Sequence, residues 1–336
     1  MHRALRLFFV VALASAAAAQ RPTQLHIHFI DVEGGQATLF TLPSGESLLI
    51  DTGWAGFDGR DAERIAAAAK RDGVSRIDTL VVTHYHADHV GGVPAIAQRL
   101  PVRRFVDHGP TVESGAQPTA LFNSYTAVRD KAEHVVARPG EALKVGDLEL
   151  RFVSAGGELT TNALPGGGQP NALCADYQPK DADPTENARS VGMVISYGQF
   201  RMLDLGDLTW NKEHDLVCPN NLLGTVDVYL TTHHGLDQSG LPALVHAVHP
   251  RVAIMNNGAR KGGSAEAWST VRSSPGLEDL WQLHYATGSD RAHNAAEPLI
   301  ANLDDSTASE ITISAERSGS FVVTNTRNSQ QKRYQK

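Results

Sequence analysis

Apolar and polar positions along this chain change their period repeatedly, and each change marks an element. Gln24 to Asp31 (QLHIHFID) alternates His26 and His28 with Leu25, Ile27 and Phe29, the period-2 pattern of a strand with one solvated face. His26 and His28 are therefore expected to face solvent rather than to bind a ligand. A Gly-rich turn, a strand, a Pro-Ser-Gly turn and a second strand ending in Asp51-Thr52-Gly53 follow. Arg60 to Arg71 reads as an Ala-rich helix, Ile77 to Val82 (IDTLVV) as a buried strand, and Val90, Val93, Ile96 and Leu100 as the apolar face of a helix. Further strands are expected at Val102 to Val106, in a hairpin from Ala142 to Ser154, in a hairpin ending near Asp207, and at Val226 to Thr232, with a helix over 117–133. The alternation continues with a helix at Leu241 to Val248, a strand at Arg251 to Met255, a helix at Ala265 to Arg272, a strand at Leu280 to Tyr285 and a terminal hairpin, ITISA with SFVVTN. Between its two halves lies a Gly/Pro/Asn-rich insertion, residues 156–186, with the length and composition of a surface loop or lid. The polar end, residues 328–336, reads as a flexible tail.

Composition adds a location. The first residues, MHRALRLFFVVALASAAAAQ, combine two arginines, an apolar core and a small-residue run. They read as a signal peptide over residues 1–19, too short in its apolar core to span a bilayer well, which leaves a secreted or periplasmic protein without a stable membrane anchor. Removing Arg3 and Arg6 leaves 28 basic against 37 acidic residues, a net of −9. Such acidity, with few adjacent basic pairs (Arg103-Arg104 and Arg260-Lys261 among them), gives no strong nucleic-acid signal. Cys174 and Cys218 are the only cysteines. In an oxidising compartment they form either a disulfide or two separate buried thiols.

The chemistry concentrates in Thr83 to Gly92, THYHADHVGG, where three histidines and a carboxylate fall within six residues on a strand-to-helix turn. His84 and His86 alternate and can face the same way, while Asp88 and His89 follow where the chain bends. Convergent imidazoles and a carboxylate suit a borderline divalent metal such as Zn2+.

The H-x-H-x-D-H pattern, with Thr83 before it and Gly91-Gly92 after it, resembles the signature of the metallo-β-lactamase fold superfamily of metal-dependent hydrolases. The resemblance implies one domain over residues 20–327, an αββα four-layer sandwich of two mixed β-sheets flanked by helices. More narrowly, Asp31, Val32, Gly35 and Ala37 fit the D-V-G-Q-G-D-A loop that opens the competence-protein-like branch, while Glu33, Gly34 and Gln36 depart from it. The D-T-G strand end and the His233-His234-Gly235 strand end resemble that branch as well.

Residue by residue, the resemblance makes Asp51 a buried brace for the metal-binding loop and Asp207, after Leu205-Gly206, a carboxylate bridging two ions. His84 and His86 belong to one site, and Asp88, His89 and either His234 or His233 to the other, with His234 preferred. Asp88 doubles as the catalytic group that orients a metal-bound hydroxide. Most family members place a further histidine after the Ala142–Ser154 hairpin, but here the chain reads Ser154-Ala155-Gly156-Gly157-Glu158. Asn187 or His108 is expected near that vacant position. His108 can equally line the pocket or be a plain turn histidine, and His284 and His293 read as solvated loop histidines. The resulting expectation is an exported hydrolase with one or two Zn2+, or another divalent metal, acting on a phosphodiester-type or small-molecule substrate. The alternatives are a β-lactam or lactone hydrolase and a non-catalytic metal- or ligand-binding member of the fold.

Overall fold

The computed structural model describes residues 22–336, and the expected signal segment lies outside the described residues. Two nine-stranded sheets stack face to face. The first takes β1 (Leu25–Phe29), β2 (Thr38–Thr41), β3 (Ser47–Ile50), β4 (Thr79–Val81), β5 (Arg104–Asp107) and β6 (Glu133–Val136) in sequence order, and extends beyond β1 through Ile311–Ala315, Phe321–Asn325 and Gln330–Tyr334. The second begins with β7 (Ala142–Val145) and β8 (Leu148–Ala155). It continues through Gly192–Tyr197, Phe200–Asp204, Val228–Leu230, Val252–Met255, Asp279–His284 and Ile300–Asn302, with the short strand Glu158–Leu159 on β8. Each sheet mixes parallel and antiparallel pairs: β3 to β6 run parallel, as do the five strands from Phe200–Asp204 to Ile300–Asn302.

Strand periodicity explains the layers. Leu25, Ile27 and Phe29 of β1 point inward with Phe40, Leu48, Ile50 and Val81, and meet Leu150, Phe152, Met193, Ile195, Met202 and Ile254 from the second sheet. Each such side chain, fully buried, contributes roughly 1.5–3 kcal/mol of transfer free energy. The outer face of the first sheet is covered by α1 (Arg60–Arg71) and, after the short α2 (Ala87–Val90), by α3 (Val93–Arg99) and α4 (Ala116–Arg129). The outer face of the second is covered by α5 (Trp210–Val217), α6 (Pro242–Val248) and α7 (Ala265–Arg272). The four layers are the αββα sandwich of the metallo-β-lactamase fold. Among the described residues no helix is long and apolar enough to cross a membrane.

Three expectations need correction. Residues 328–336 are not a free tail: Gln330–Tyr334 pairs antiparallel with Phe321–Asn325, and buried Tyr334 stacks on Phe321 and accepts a hydrogen bond from Trp281 Nε1 at 3.0 Å. His28 is 2% exposed, because the end of α1 and Glu310 cover the outer face of β1. His284 ends its strand in the interior, with Nε2 2.7 Å from Asp31 Oδ1. The cysteine pair resolves as a disulfide, Cys174–Cys218, with Cα atoms 5.7 Å apart. It ties the insertion to the end of α5, where Tyr177 also stacks on His214 and Trp210 Nε1 donates to Gln178 O.

Candidate metal centre

The centre forms where the carboxyl ends of strands from both sheets meet. From the first sheet, β4 ends at Val81 and the chain turns into α2 so sharply that His84, Asp88 and His89 all point into the seam. Asp51, at the end of β3, holds the turn: its Oδ1 accepts from Thr83 N at 2.8 Å, and its Oδ2 meets Thr83 Oγ1 at 2.7 Å and His89 Nδ1 at 2.8 Å. His89 Nε2 is thereby aimed inward. The glycine-rich loop after β1 lies beneath Asp88. A side chain at Gly35 would strike Asp88 O at 2.4 Å, while Gln36 N donates to that oxygen at 3.1 Å.

From the second sheet come Asp207, His233 and His234. Gly206 has φ 56°, and a side chain there would sit 2.9 Å from Thr83 Cβ, so glycine permits both the turn and the approach of the two sheets. His233 and His234 also have positive φ, 55° and 56°. Neighbouring strand residues would point to opposite sides, but two successive left-handed residues turn both imidazoles onto one carboxylate. His233 Nε2 lies 3.3 Å from Asp207 Oδ2 and His234 Nε2 3.4 Å from Asp207 Oδ1. Of the pair, His234, the preferred ligand, is the one that joins the four-residue donor cluster, while His233 stands beside it against Asp207.

Asp88, His89, Asp207 and His234, all buried, present ligand atoms within 4.8 Å of one another. His89 Nε2 faces His234 Nε2 at 3.2 Å, and Asp88 Oδ2 is 3.2 Å from each. His84 Nε2 lies 3.9 Å from Asp207 Oδ2, which His89 Nε2 also approaches at 3.3 Å, and 3.1 Å from His86 Nδ1, while His86 Nε2 meets Glu113 Oε1 at 3.0 Å. Asp204, near the same turn, accepts from Gly206 N and Gln36 Nε2 instead, and burial pushes its carboxyl up to about 7.

The donor set fits divalent cations. Asp207 Oδ1 and His234 Nδ1 are buried without a hydrogen-bond partner among the described residues. Burial opposes charge on His89, yet the carboxylates of Asp207, Asp88 and Asp51 outweigh it and raise its pKa well above the usual range. Asp207 is held well below the usual carboxylate range: burial would raise it, but His89, His234 and His233 overcome that. The cavity therefore draws positive charge. Burial pushes His84 well down and His233 down to about 4, leaving neutral imidazoles with a lone pair to give.

The structure does not bring His108 to the ligand cluster. Its Nε2 is held by Glu186 Oε2 at 2.7 Å, and its ring packs on Tyr85. Asn187 lines, with His86, Lys180, Thr209, Trp210 and Gln238, an open cavity of about 490 Å³ beside His86. Three polar partners escaped sequence reasoning. Glu113 lies in a loop and Glu186 opens a short 3-10 helix, neither within a motif, and Lys261, noted only as half of a basic pair, reaches back to ion-pair with Asp88 while its ammonium sits 5.2 Å from the Trp54 ring centre.

Comparison with known proteins agrees with this geometry. Residues 30–169 match the family model of the metallo-beta-lactamase superfamily. A hydroxyacylglutathione hydrolase of Stenotrophomonas maltophilia is 37% identical over 114 residues, 31% of this chain and 41% of the relative. One of Xanthomonas axonopodis pv. citri is 28% identical over 118 residues, 35% of this chain and 36% of the relative. The chain thus spans less than half the length of these curated relatives. Among solved structures, the metallo-beta-lactamase fold protein YhfI of Bacillus subtilis shows 11% identity and a TM-score of 0.48, covering 77% of this chain and 95% of that one. The stretch that carries the H-x-H-x-D-H turn, residues 30–169, is thus similar to the metallo-beta-lactamase superfamily.

Proposed function

We propose that this protein is an exported metal-dependent hydrolase with a two-cation centre, Zn2+ being the ion its donors suit best, acting on a phosphodiester-type substrate. The observation that carries the reading is the buried donor cluster of Asp88, His89, Asp207 and His234, with His84 and His233 also within 3.9 Å of Asp207. Asp88, His89 and His234 would hold one ion; His84, His86 and His233 would hold the other, with His233 standing in for the histidine missing after β8. Bound divalent cations would activate a water near neutrality and neutralise charge developing at the attacked centre.

The chain's own groups do the rest. Asp88 is held by His89, His234 and Lys261, which keep its carboxylate ionised against the burial that would raise its pKa, so it serves to orient the attacking water rather than to store a proton. Lys261 sits among Gly258, Gly262 and Gly263, and its ammonium can turn from Asp88 to an anionic oxygen of the substrate. The cavity beside His86 offers Lys180, Asn187 and Gln238 to the leaving group.

A second reading, hydrolysis of a thioester, rests on the local identity to the hydroxyacylglutathione hydrolases. The test is metal content per chain by elemental mass spectrometry, paired with turnover of bis(p-nitrophenyl) phosphate, a hydroxyacyl-glutathione thioester and a chromogenic cephalosporin. Two metals with dominant diesterase turnover support the first reading. Dominant thioesterase turnover moves the assignment to the second. Metal-replete protein that turns over none of the three refutes both.

A further inference from the structure

A second cluster of metal-type donors lies on the outer face of the first sheet, sharing no residue with the centre above. His26 and His28, two apart on β1, project from the same face of the strand. Asp72, which caps the carboxyl end of α1, reaches down between them: its Oδ2 is 2.9 Å from His26 Nδ1 and 2.9 Å from His28 Nε2. The three ligand atoms all lie within 4.8 Å of one another. We propose that His26, His28 and Asp72 form a second binding site for a borderline divalent transition metal, Zn2+ foremost, that clamps the end of α1 to β1.

Two features separate this cluster from an ordinary ion pair. His28 has a carboxylate on each ring nitrogen, since Glu310 Oε2 stands 3.2 Å from Nδ1, and the other oxygen of Glu310 is tied to Arg71. A carboxylate on the far nitrogen of an imidazole fixes its tautomer and presents the near nitrogen to a metal, an arrangement that recurs around zinc histidines. His26, by contrast, keeps 24% of its side chain exposed. The cluster is closed on the His28 side and open on the His26 side, which provides an entry path and a fourth position for water, as in sites of two or three protein nitrogens and a carboxylate. Ligand atoms around a tetrahedral zinc, at bonds of about 2.0–2.2 Å, stand roughly 3.3–3.5 Å apart. The two spacings to Asp72 Oδ2, 2.9 Å each, need to open by only about half an ångström.

Zinc binding must be read apart from the principal centre, so the experiment uses the full chain carrying Asp207→Ala together with His84→Ala and His234→Ala, which removes the shared carboxylate and one histidine from each proposed ion. Metal content after zinc loading and gel filtration, and melting temperature with and without added Zn2+, are measured with and without a further His26→Gln change, which falls at the partly exposed position. The expected result is a residual zinc per chain and a melting rise of about 4 °C at zinc near a hundred times Kd, both lost with His26→Gln. Cu2+ loaded in place of zinc should show hyperfine coupling to two imidazole nitrogens in the electron paramagnetic resonance spectrum. A triply substituted protein that retains no zinc, or one whose retained zinc survives His26→Gln, overturns the assignment. Either outcome leaves the reading of the principal centre standing.

Discussion

The two sheets bring their shares of the candidate metal centre into place by different physical means. The first sheet supplies His84, His86, Asp88 and His89 from one turn, and that turn is held by hydrogen bonds from Asp51 to Thr83 and His89. The second supplies Asp207, His233 and His234 from two separate strand ends, aimed by left-handed backbone at Gly206, His233 and His234. A non-glycine residue in that region costs of order 1–3 kcal/mol and persists only where its surroundings insist on it. One half is therefore sensitive to the loss of a brace, and the other to the loss of a backbone conformation or of the imidazole it points.

The largest effect should come from the residue that joins the halves. Asp207→Ala should lower kcat/KM by roughly 10³-fold or more and cut metal content on both sides, read by steady-state kinetics and elemental analysis. Retention of full metal content would break the comparison, since neither half would then depend on the bridge. Asp51→Asn should weaken metal affinity by about 10–100-fold, measured by competition with a chromophoric chelator, because the turn of the first sheet loses its orienting acceptor.

His233→Asn is narrower. Asn tolerates the left-handed region, so thermal stability should move by no more than about 1 kcal/mol while one cation of the pair is lost. Loss of both, or of neither, would show that His233 does not belong to the His84–His86 side. The smallest expected effect concerns the pin between the halves, Glu186, which joins His108 after β5 to the end of the insertion. Burial alone would raise Glu186, but hydrogen bonds and charge from His108, with Thr111 and Val112 N, hold it at about 2 against an ordinary 4.5. Its contribution is fully present above pH 4.5 and is lost as the pH falls through about 2. In urea titrations, Glu186→Gln should flatten the stability profile in that window relative to the parent.

The same contrast governs how much of the molecule is legible in its amino-acid order. Thr83 to Gly92 is contiguous, and a strand-to-helix turn dense in donors states its chemistry locally. The element boundaries of α1, α7 and the strand Ile311–Ala315 coincide with their apolar periods. The joint orientation of His233 and His234 is not legible, because strand alternation assigns them opposite sides and only the two positive φ values undo it. Alternation places His26 and His28 on the outer face of β1 correctly but says nothing of what covers that face. Asp72 and Glu310 arrive from 44 and 282 residues away from His28. Polar QQKRY conceals an edge strand because its anchor is a single residue, Tyr334, and its backbone pairing has no side-chain signature.

The Cys174–Cys218 bond closes a covalent ring of backbone that carries both Asn187 and Asp207. Within that ring every residue of the stretch 178–182 is exposed, the kind of segment a protease cuts first. A cut there would leave two fragments, one ending in the insertion and one bearing Asp207, still joined through sulfur. The clipped molecule would run as one band on a non-reducing gel and as two after reduction, and its bridging carboxylate would stay tethered to the centre through the nick.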